Sequence, residues 1–555
     1  MIKRAVSFGV LVISTAAFGG SGKLEPDDLP GPPPEVAKNP AKVDVPPVPS
    51  FELPAGEPGF HGPRELRVHG KAVLDTEIKV KGYVTWIYDC AAGLTSRNPK
   101  MTRAQLLAAI DKEPTLCELP KFSLGDAKGT SRDASIAVVE VPRPPTTGER
   151  KRLSRDELKA LPAVPKLTVG DYVVITGTWA VASPHAEHNP NGFLVYKALE
   201  HAVPGAPTAA ATAAVPADAA NEPEITVVTK APLRSAVDDK TRNTSAGHLN
   251  ACNKAFTAQQ YDAAIPACQA ATAAWQGNHL AWYVWASVYM AKGEWPKARA
   301  AVEHAVTLRP DQGMYQLYHG VSLYEAEQQQ AREDQARKEN KSSAEVAINP
   351  AVLRLDAVRD ALRRAAKLAP DLWRAHYYLG RVYRDLDDAR HAAEQFSLTI
   401  KTYPAYRFGY TALIDLYRRW DYFDQAIAVA LLGTANVPAA EAPELWFEAG
   451  MAYDAKHADD QAIDAFTKGL AGKPDDASAK FQRGQIYVRK GDFAAARLDL
   501  EDVIQSSDPR LAASQPIAQQ LLHQMAVQDQ LAHQPKPRPP GRTVERLDPG
   551  RQVSP

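Results

Sequence analysis

This 555-residue chain has no excess of either charge: Lys and Arg total 65, and Asp and Glu total 65. A chain balanced in this way has no overall field drawing it to nucleic acid or to an anionic membrane, although local patches remain open. Catalytic signatures are missing as well. No phosphate-cradling glycine loop, no G-x-S-x-G turn and no H-E-x-x-H helix occurs, and the four cysteines form no C-x-x-C pair. Nothing here calls for a cofactor or a metal, so the chain reads as a non-enzyme. Past the N-terminus no segment reaches about 18 apolar residues, the least that spans a bilayer as a helix.

The N-terminus is the exception to that scarcity. Lys3 and Arg4 precede an uncharged run from Ala5 to Phe18, followed by Gly19, Gly20 and Ser21. This is the pattern of a secretory signal, here residues 1–20. The expected location is periplasmic or secreted; the alternative is retention as an N-terminal anchor in the inner membrane, facing the periplasm. No cysteine follows the run, which argues against lipid modification. Ala- and Arg-rich usage points to a bacterial source.

Proline is abundant, and it is clustered. Residues 21–63 hold Pro30, Pro32, Pro33, Pro34, Pro40, Pro46, Pro47 and Pro49 with few aromatics, so the segment reads as a disordered, extended spacer. An Ala/Pro-rich linker at 204–243 and a basic tail at 534–555, with Lys536, Arg538, Arg542, Arg546 and Arg551, read the same way.

Between spacer and linker, residues 64–203 turn to strand patterning. Apolar alternation or runs occur at Glu77–Tyr88, around Lys121–Gly125, and at Ser135–Val141, Asp171–Ala182 and Gly192–Leu199. Ser154 and Glu157 stand at capping-box spacing before Leu158 and Leu161, which puts a short helix between the third and fourth strands. This order resembles the OB-fold, a small five-stranded β-barrel, with Gly82 and Gly177 where such strands bend. The resemblance implies an oligosaccharide or nucleic-acid surface, for which Trp86, Tyr88, Phe122 and Trp179 could offer stacking faces; alternatively they fill the interior. An exported chain of zero net charge without a basic-aromatic run gives no reason to expect nucleic acid.

Cys90 and Cys117 bracket an insertion holding a helix over Thr102–Lys112, with Thr102 as cap and Gln105 three residues on. In an oxidising compartment the plain reading is a disulfide closing this loop. His185 and His188 lie beside Asn189-Pro190 and Asn191-Gly192, a solvated hairpin loop rather than a metal site.

The C-terminal half is organised by period. Pro370, Pro404 and Pro438 are 34 residues apart. Counting each proline as position 32, Gly380, Tyr383, Ala392 and Phe396 recur as Gly450, Tyr453, Ala462 and Phe466 in the unit ending at Pro474. This pattern resembles the tetratricopeptide repeat (TPR), a pair of antiparallel helices. Small residues at positions 8, 20 and 27 admit close approach, large ones at 4, 7, 11 and 24 fill the space, and proline stops the second helix. The chain is thus expected to be multidomain, an OB-like barrel followed by an all-α TPR solenoid of about seven repeats over 244–510, with a capping helix at 511–533. In the divergent first unit Cys252 and Cys268 take the facing positions 8 and 24, the place for a second disulfide or for two buried thiols. The third unit carries 26 extra residues, since Pro310 and Pro370 are 60 apart. Its first helix is expected to run on into solvent through 325–345, as a contact arm or a tolerated insertion, with Asn349-Pro350 restarting the second helix.

In such an array positions 2, 5, 9 and 12 of each first helix line the concave face. Here they bring together Arg374, Tyr377, Arg381 and Arg384 in the fourth unit, and Phe408 and Arg418 in the fifth. Guanidinium groups beside aromatics suit an acidic peptide segment. The asparagines with which some family members clamp a peptide carboxylate are absent, Val321 standing where one is expected. The functional reading is an exported scaffold that binds a protein in a cell-envelope assembly. The alternative is a glycan- or small-molecule-binding protein that uses the barrel.

Overall fold

The structure, a computed structural model, describes residues 43–53, 57–91, 102–113, 119–130, 134–183, 188–202, 224–230, 237–344, 350–508 and 514–532, with the single residues 117, 346, 348 and 511. The signal segment, much of the linker, the basic tail, His185 and the side chain of His188 lie outside them. The described residues divide into two compact units. One takes the chain up to Tyr88 and resumes after residue 113 through Pro474; the other takes Asp89–Glu113 and the chain from Asp475.

In the first unit, strand β1 (Glu77–Ile87) turns Ile78, Val80 and Val84 inward by simple alternation. Strands β2 (Phe122–Gly125), β3 (Ile136–Val139), β4 (Tyr172–Ala182) and β5 (His188–His201) join it in a mixed five-stranded sheet. The pairing order is β1-β2-β3-β5-β4 with β4 returning to β1, antiparallel except at β3–β5. Helix α1 (Pro63–His69) contributes Leu66 to the core with Val80, Leu124, Val138, Ile175 and Leu194. Gly177 sits where the β4–β5 register shifts, and a Cβ there would stand 2.4 Å from the Val195 carbonyl oxygen.

Two of the four aromatics offered as stacking faces are corrected. Phe122 and Trp179 are fully buried in the sheet core, because their strand positions fall on its inner face; Trp86 and Tyr88 are half-buried. Helix α2 (Arg103–Lys112), in the second unit, starts at the Thr102–Gln105 capping box. Helices α3 (Thr147–Arg152) and α4 (Arg155–Ala160), between β3 and β4, start at the Thr146–Glu149 and Ser154–Glu157 boxes.

The helical hairpins of the first unit are α5 (Asp239–Thr257) with α6 (Tyr261–Ala274), and α7 (His279–Ala291) with α8 (Trp295–Leu308). They continue as α9 (Gly313–Glu339) with α10 (Asp356–Leu368), and α11 (Trp373–Asp385) with α12 (Ala389–Thr402). Last come α13 (Arg407–Arg419) with α14 (Phe423–Asn436), and α15 (Ala442–Ala455) with α16 (Asp459–Gly472). The period has a packing cause. A Cβ on Gly380 would stand 2.6 Å from the Phe396 ring, and one on Gly450 2.9 Å from Phe466, so position 8 is small because position 24 fills it. Position 15, in the turn between paired helices, is left-handed in every hairpin of this unit but the third, where α9 runs through it: Gln259, Gly293, Asp387, Asp421 and His457 have φ of 55°, 71°, 65°, 59° and 57°.

Cys252 and Cys268 form a buried disulfide in the first hairpin, with Cα atoms 5.1 Å apart. Cys90 and Cys117 are disulfide-bonded too, and no cysteine is free. In the second unit, α17 (Ala477–Lys490) and α18 (Phe493–Gln505) pair, and α19 (Ser514–Ala532) lays Ala518 and Met525 against Phe481, Leu500 and Val503.

Three expectations change. Helix α9 does run on, for 27 residues, but not into solvent: Glu325, Gln328, Arg332 and Ala336, one face at helical spacing, are buried. The returning Leu353 and Leu355 join the same cluster as Tyr324 and Ala331, and Arg332 donates to Gln328 at 2.9 Å, so a polar stripe is buried by pairing. Pro350 opens a 3-10 turn rather than the helix, which starts at Asp356 once Leu353 and Leu355 have turned inward. Finally, the proline-rich spacer is not all spacer: Val43, Val45 and Phe51 are buried in the cluster formed by the repeats. Alternating apolar residues between prolines supply enough surface to dock although not enough to fold alone.

Candidate functional site

The six side chains expected to face a partner come from α11 (Arg374, Tyr377, Arg381, Arg384) and α13 (Phe408, Arg418), first helices of consecutive hairpins. Their charges are already engaged within the chain. Arg381 reaches Glu325 of α9 at 3.7 Å and lies over the Tyr324 and Tyr378 rings at 4.9 and 5.1 Å. Arg384 pairs with Asp385 at 3.2 Å, and the Tyr324 hydroxyl donates to the same carboxylate at 2.5 Å. Burial pushes the Asp385 pKa up, but Arg384 and Lys71 outweigh it and hold the carboxyl below its ordinary value. Arg374 is buried beside the Trp373 ring.

Arg418 donates to Glu448 of α15 at 3.0 Å and stays half-exposed, as do Tyr377 and Phe408. Burial pushes Glu448 up against the opposing pull of Arg418. The like charges on α11 are therefore relieved by Glu325 and Asp385, not left waiting. The signal for one of these pairs was in the period: Arg418 at position 12 of its first helix faces Glu448 at position 6 of the next.

A second surface went unread in the sequence. Helix α1 lies on the turns of the fourth and fifth hairpins and takes the two left-handed aspartates there. Arg67 donates to Asp421 at 2.8 Å, and Arg64 stands 3.1 Å from the same carboxylate and donates to the Trp420 carbonyl at 2.6 Å. The His69 ring meets Asp387 at 2.7 Å and the Trp420 ring edge-on at 5.2 Å. Lys71 donates to the Arg384 carbonyl at 3.5 Å, and burial lowers its pKa to about 8. The available signal was Asp recurring at 387 and 421, one period apart, where Asp tolerates a left-handed backbone at small cost.

Among the described residues no group of three or more His, Cys, Asp or Glu could hold a metal ion, and no helix is long and apolar enough to cross a membrane. A cleft of about 310 Å³ on the sheet is lined by Phe60, His61, Glu77, Lys79 and Thr176.

Two tetratricopeptide-repeat family models match the chain, over residues 255–318 and 447–512. No curated protein matches it. Among solved structures, the MamA protein is 20% identical with a TM-score of 0.29, over 35% of this chain and 92% of that one. Pseudomonas aeruginosa pilF is 13% identical at 0.32, over 42% and 95%. A tetratricopeptide repeat protein from Parabacteroides merdae is 10% identical at 0.33, over 50% and 99%. Repeat matches at both ends of the helical region, together with the small-against-large packing of its hairpins, show that this region carries tetratricopeptide repeats.

Proposed function

We propose that this chain is an exported, non-catalytic scaffold whose repeat array holds a protein partner in a bacterial cell-envelope assembly. The N-terminal sheet is read as an OB-like barrel serving as a second docking module. The observation that carries the reading is the half-exposed trio Tyr377, Phe408 and Arg418 on consecutive first helices. Two aromatic faces and one guanidinium suit an acidic segment with apolar residues. Arg418 is held by Glu448, a carboxylate that burial pushes toward neutrality, so a partner carboxylate can take its place with little loss. Export is supported by the N-terminal apolar run and by cysteines that are all disulfide-bonded.

The test is capture from bacterial envelope extract by the full chain, compared with Arg418→Glu and Phe408→Ala. Loss of the same captured protein in both variants, with unfolding temperature close to that of the parent, supports the groove. Retention in both removes it. The cleft beside Phe60 and Lys79 favours the second reading, a glycan or small-molecule site on the sheet, and capture retained by both variants would turn attention there.

A further inference from the structure

Within the proline-rich segment, residues 43–53 lie against the repeats without a hydrogen bond or ion pair to another described residue. Pro46, Pro47 and Pro49 have no N–H to give, and they stiffen the segment into an extended form. Side chains alone hold it: Val43, Val45 and Phe51 are buried. The Phe51 ring fills a slot on the fifth hairpin, stacked on Tyr417 at 6.0 Å and edge-on to Trp420 and Tyr422 at 5.2 and 5.4 Å. Its backbone is left-handed, φ 56°, a conformation that a bulky residue adopts only under strain. A strained residue persists where its surroundings over-determine it, and here the aromatic slot does so. Buried ring, strained backbone and missing hydrogen bonds together describe a segment anchored by Phe51 and held otherwise by apolar contacts alone, Val43, Val45, Val48 and Leu53 among them.

We propose that the Tyr417–Trp420–Tyr422 slot is a binding site for an extended, proline-spaced segment with an aromatic anchor on a partner protein. Residues 43–53 are its resident occupant, displaced when the partner segment enters. Recognition through stiff, proline-spaced apolar residues in an aromatic-lined site costs little ordering entropy. A resident segment on the same chain competes at high effective concentration, so a free peptide of its own sequence enters poorly. A segment that presents its ring without the left-handed backbone gains the margin it needs. This site is separate from Tyr377, Phe408 and Arg418 and goes beyond the reading built on them.

The experiment uses the full chain and a fluorescein-labelled peptide with the sequence of residues 43–53, read by fluorescence anisotropy. The Phe51→Ala chain, its slot vacated, is expected to bind this peptide at least tenfold more tightly than the parent chain. The peptide with its phenylalanine changed to alanine is expected to lose at least tenfold. Arg418→Glu placed in the Phe51→Ala chain leaves the peptide affinity unchanged, which separates this slot from the groove. Should Phe51→Ala not fold by circular dichroism, Phe51→Leu serves for the same comparison. No binding to the vacated chain, equal binding to both chains, or indifference to the peptide's ring each overturns the proposal. Concentration-dependent dimers of the parent chain, abolished by Phe51→Ala, would name a second copy as the occupant and overturn the partner assignment.

Discussion

Arg67 and Asp421, 354 residues apart in sequence, stand 2.8 Å apart, and Asp421 accepts that contact from a left-handed turn position. The same turn position one hairpin earlier is Asp387, which takes His69. The N-terminal sheet is thereby fastened through α1 to the repeats, and this explains why the contacts do not divide at the linker expected over 204–243.

Asp421→Asn keeps a residue that tolerates the left-handed backbone and removes the charge that Arg64 and Arg67 share. With Arg67 left half-buried without its carboxylate and Arg64 keeping only the Trp420 carbonyl, docking should weaken by about 1–3 kcal/mol. With a protease site placed between residues 204 and 223, the cleaved parent should elute as one species in low salt. The cleaved Asp421→Asn chain should elute as two.

The His69 pKa is raised, chiefly by its hydrogen bond to Asp387, with Glu65 adding to it and burial opposing it. A raised value means that this contribution to docking is complete below about 6.5, the ordinary histidine value, and is lost as pH rises through the folded one. Affinity between the cleaved fragments, measured by calorimetry, should therefore fall from pH 5.5 to pH 8. Asp387→Asn should flatten that dependence.

Gly380→Ala would drive a methyl into the Phe396 ring, which lies 2.6 Å from the Cβ position. Overpacking of this kind costs about 1–3 kcal/mol, and thermal unfolding should report a loss in that range. Equal stability would mean that the two helices of the hairpin can separate at position 8.

Cys252 and Cys268 are 16 residues apart in the terminal hairpin, which has a repeat on one side only. Replacing both by alanine should cost about 3 kcal/mol by loop-closure reasoning, concentrated in α5 and α6. Hydrogen exchange localised to residues 239–274 checks it, and non-reducing peptide mapping checks the pairing.

What the sequence disclosed follows from how local each constraint is. The 34-residue period was legible because a small residue at position 8 faces a large one at position 24 within a single hairpin. The capping boxes at Thr102 and Ser154 were legible because both partners lie three residues apart. Docking of α1 was not, since Arg67 and Asp421 carry no mark of each other at that separation. Phe51 was hidden by composition: prolines around it read as spacer, although Val43 and Val45 already alternate. The arginines of α11 were found, but their neutralisation by Glu325 depends on α9 burying a polar stripe, which no periodicity of apolar residues announces. For that reason Arg381→Glu should unfold the chain at lower temperature, where an exposed arginine would tolerate the change.

The most direct measurement places a photo-crosslinking amino acid at Phe408, on the proposed partner face, and in a separate chain at Leu431, exposed on the second helix of the same hairpin. Both chains are expressed full length in the bacterial envelope and irradiated. Partner binding on this face gives a discrete protein adduct from position 408 and none of that mass from position 431. An adduct from 431 with none from 408 would contradict it.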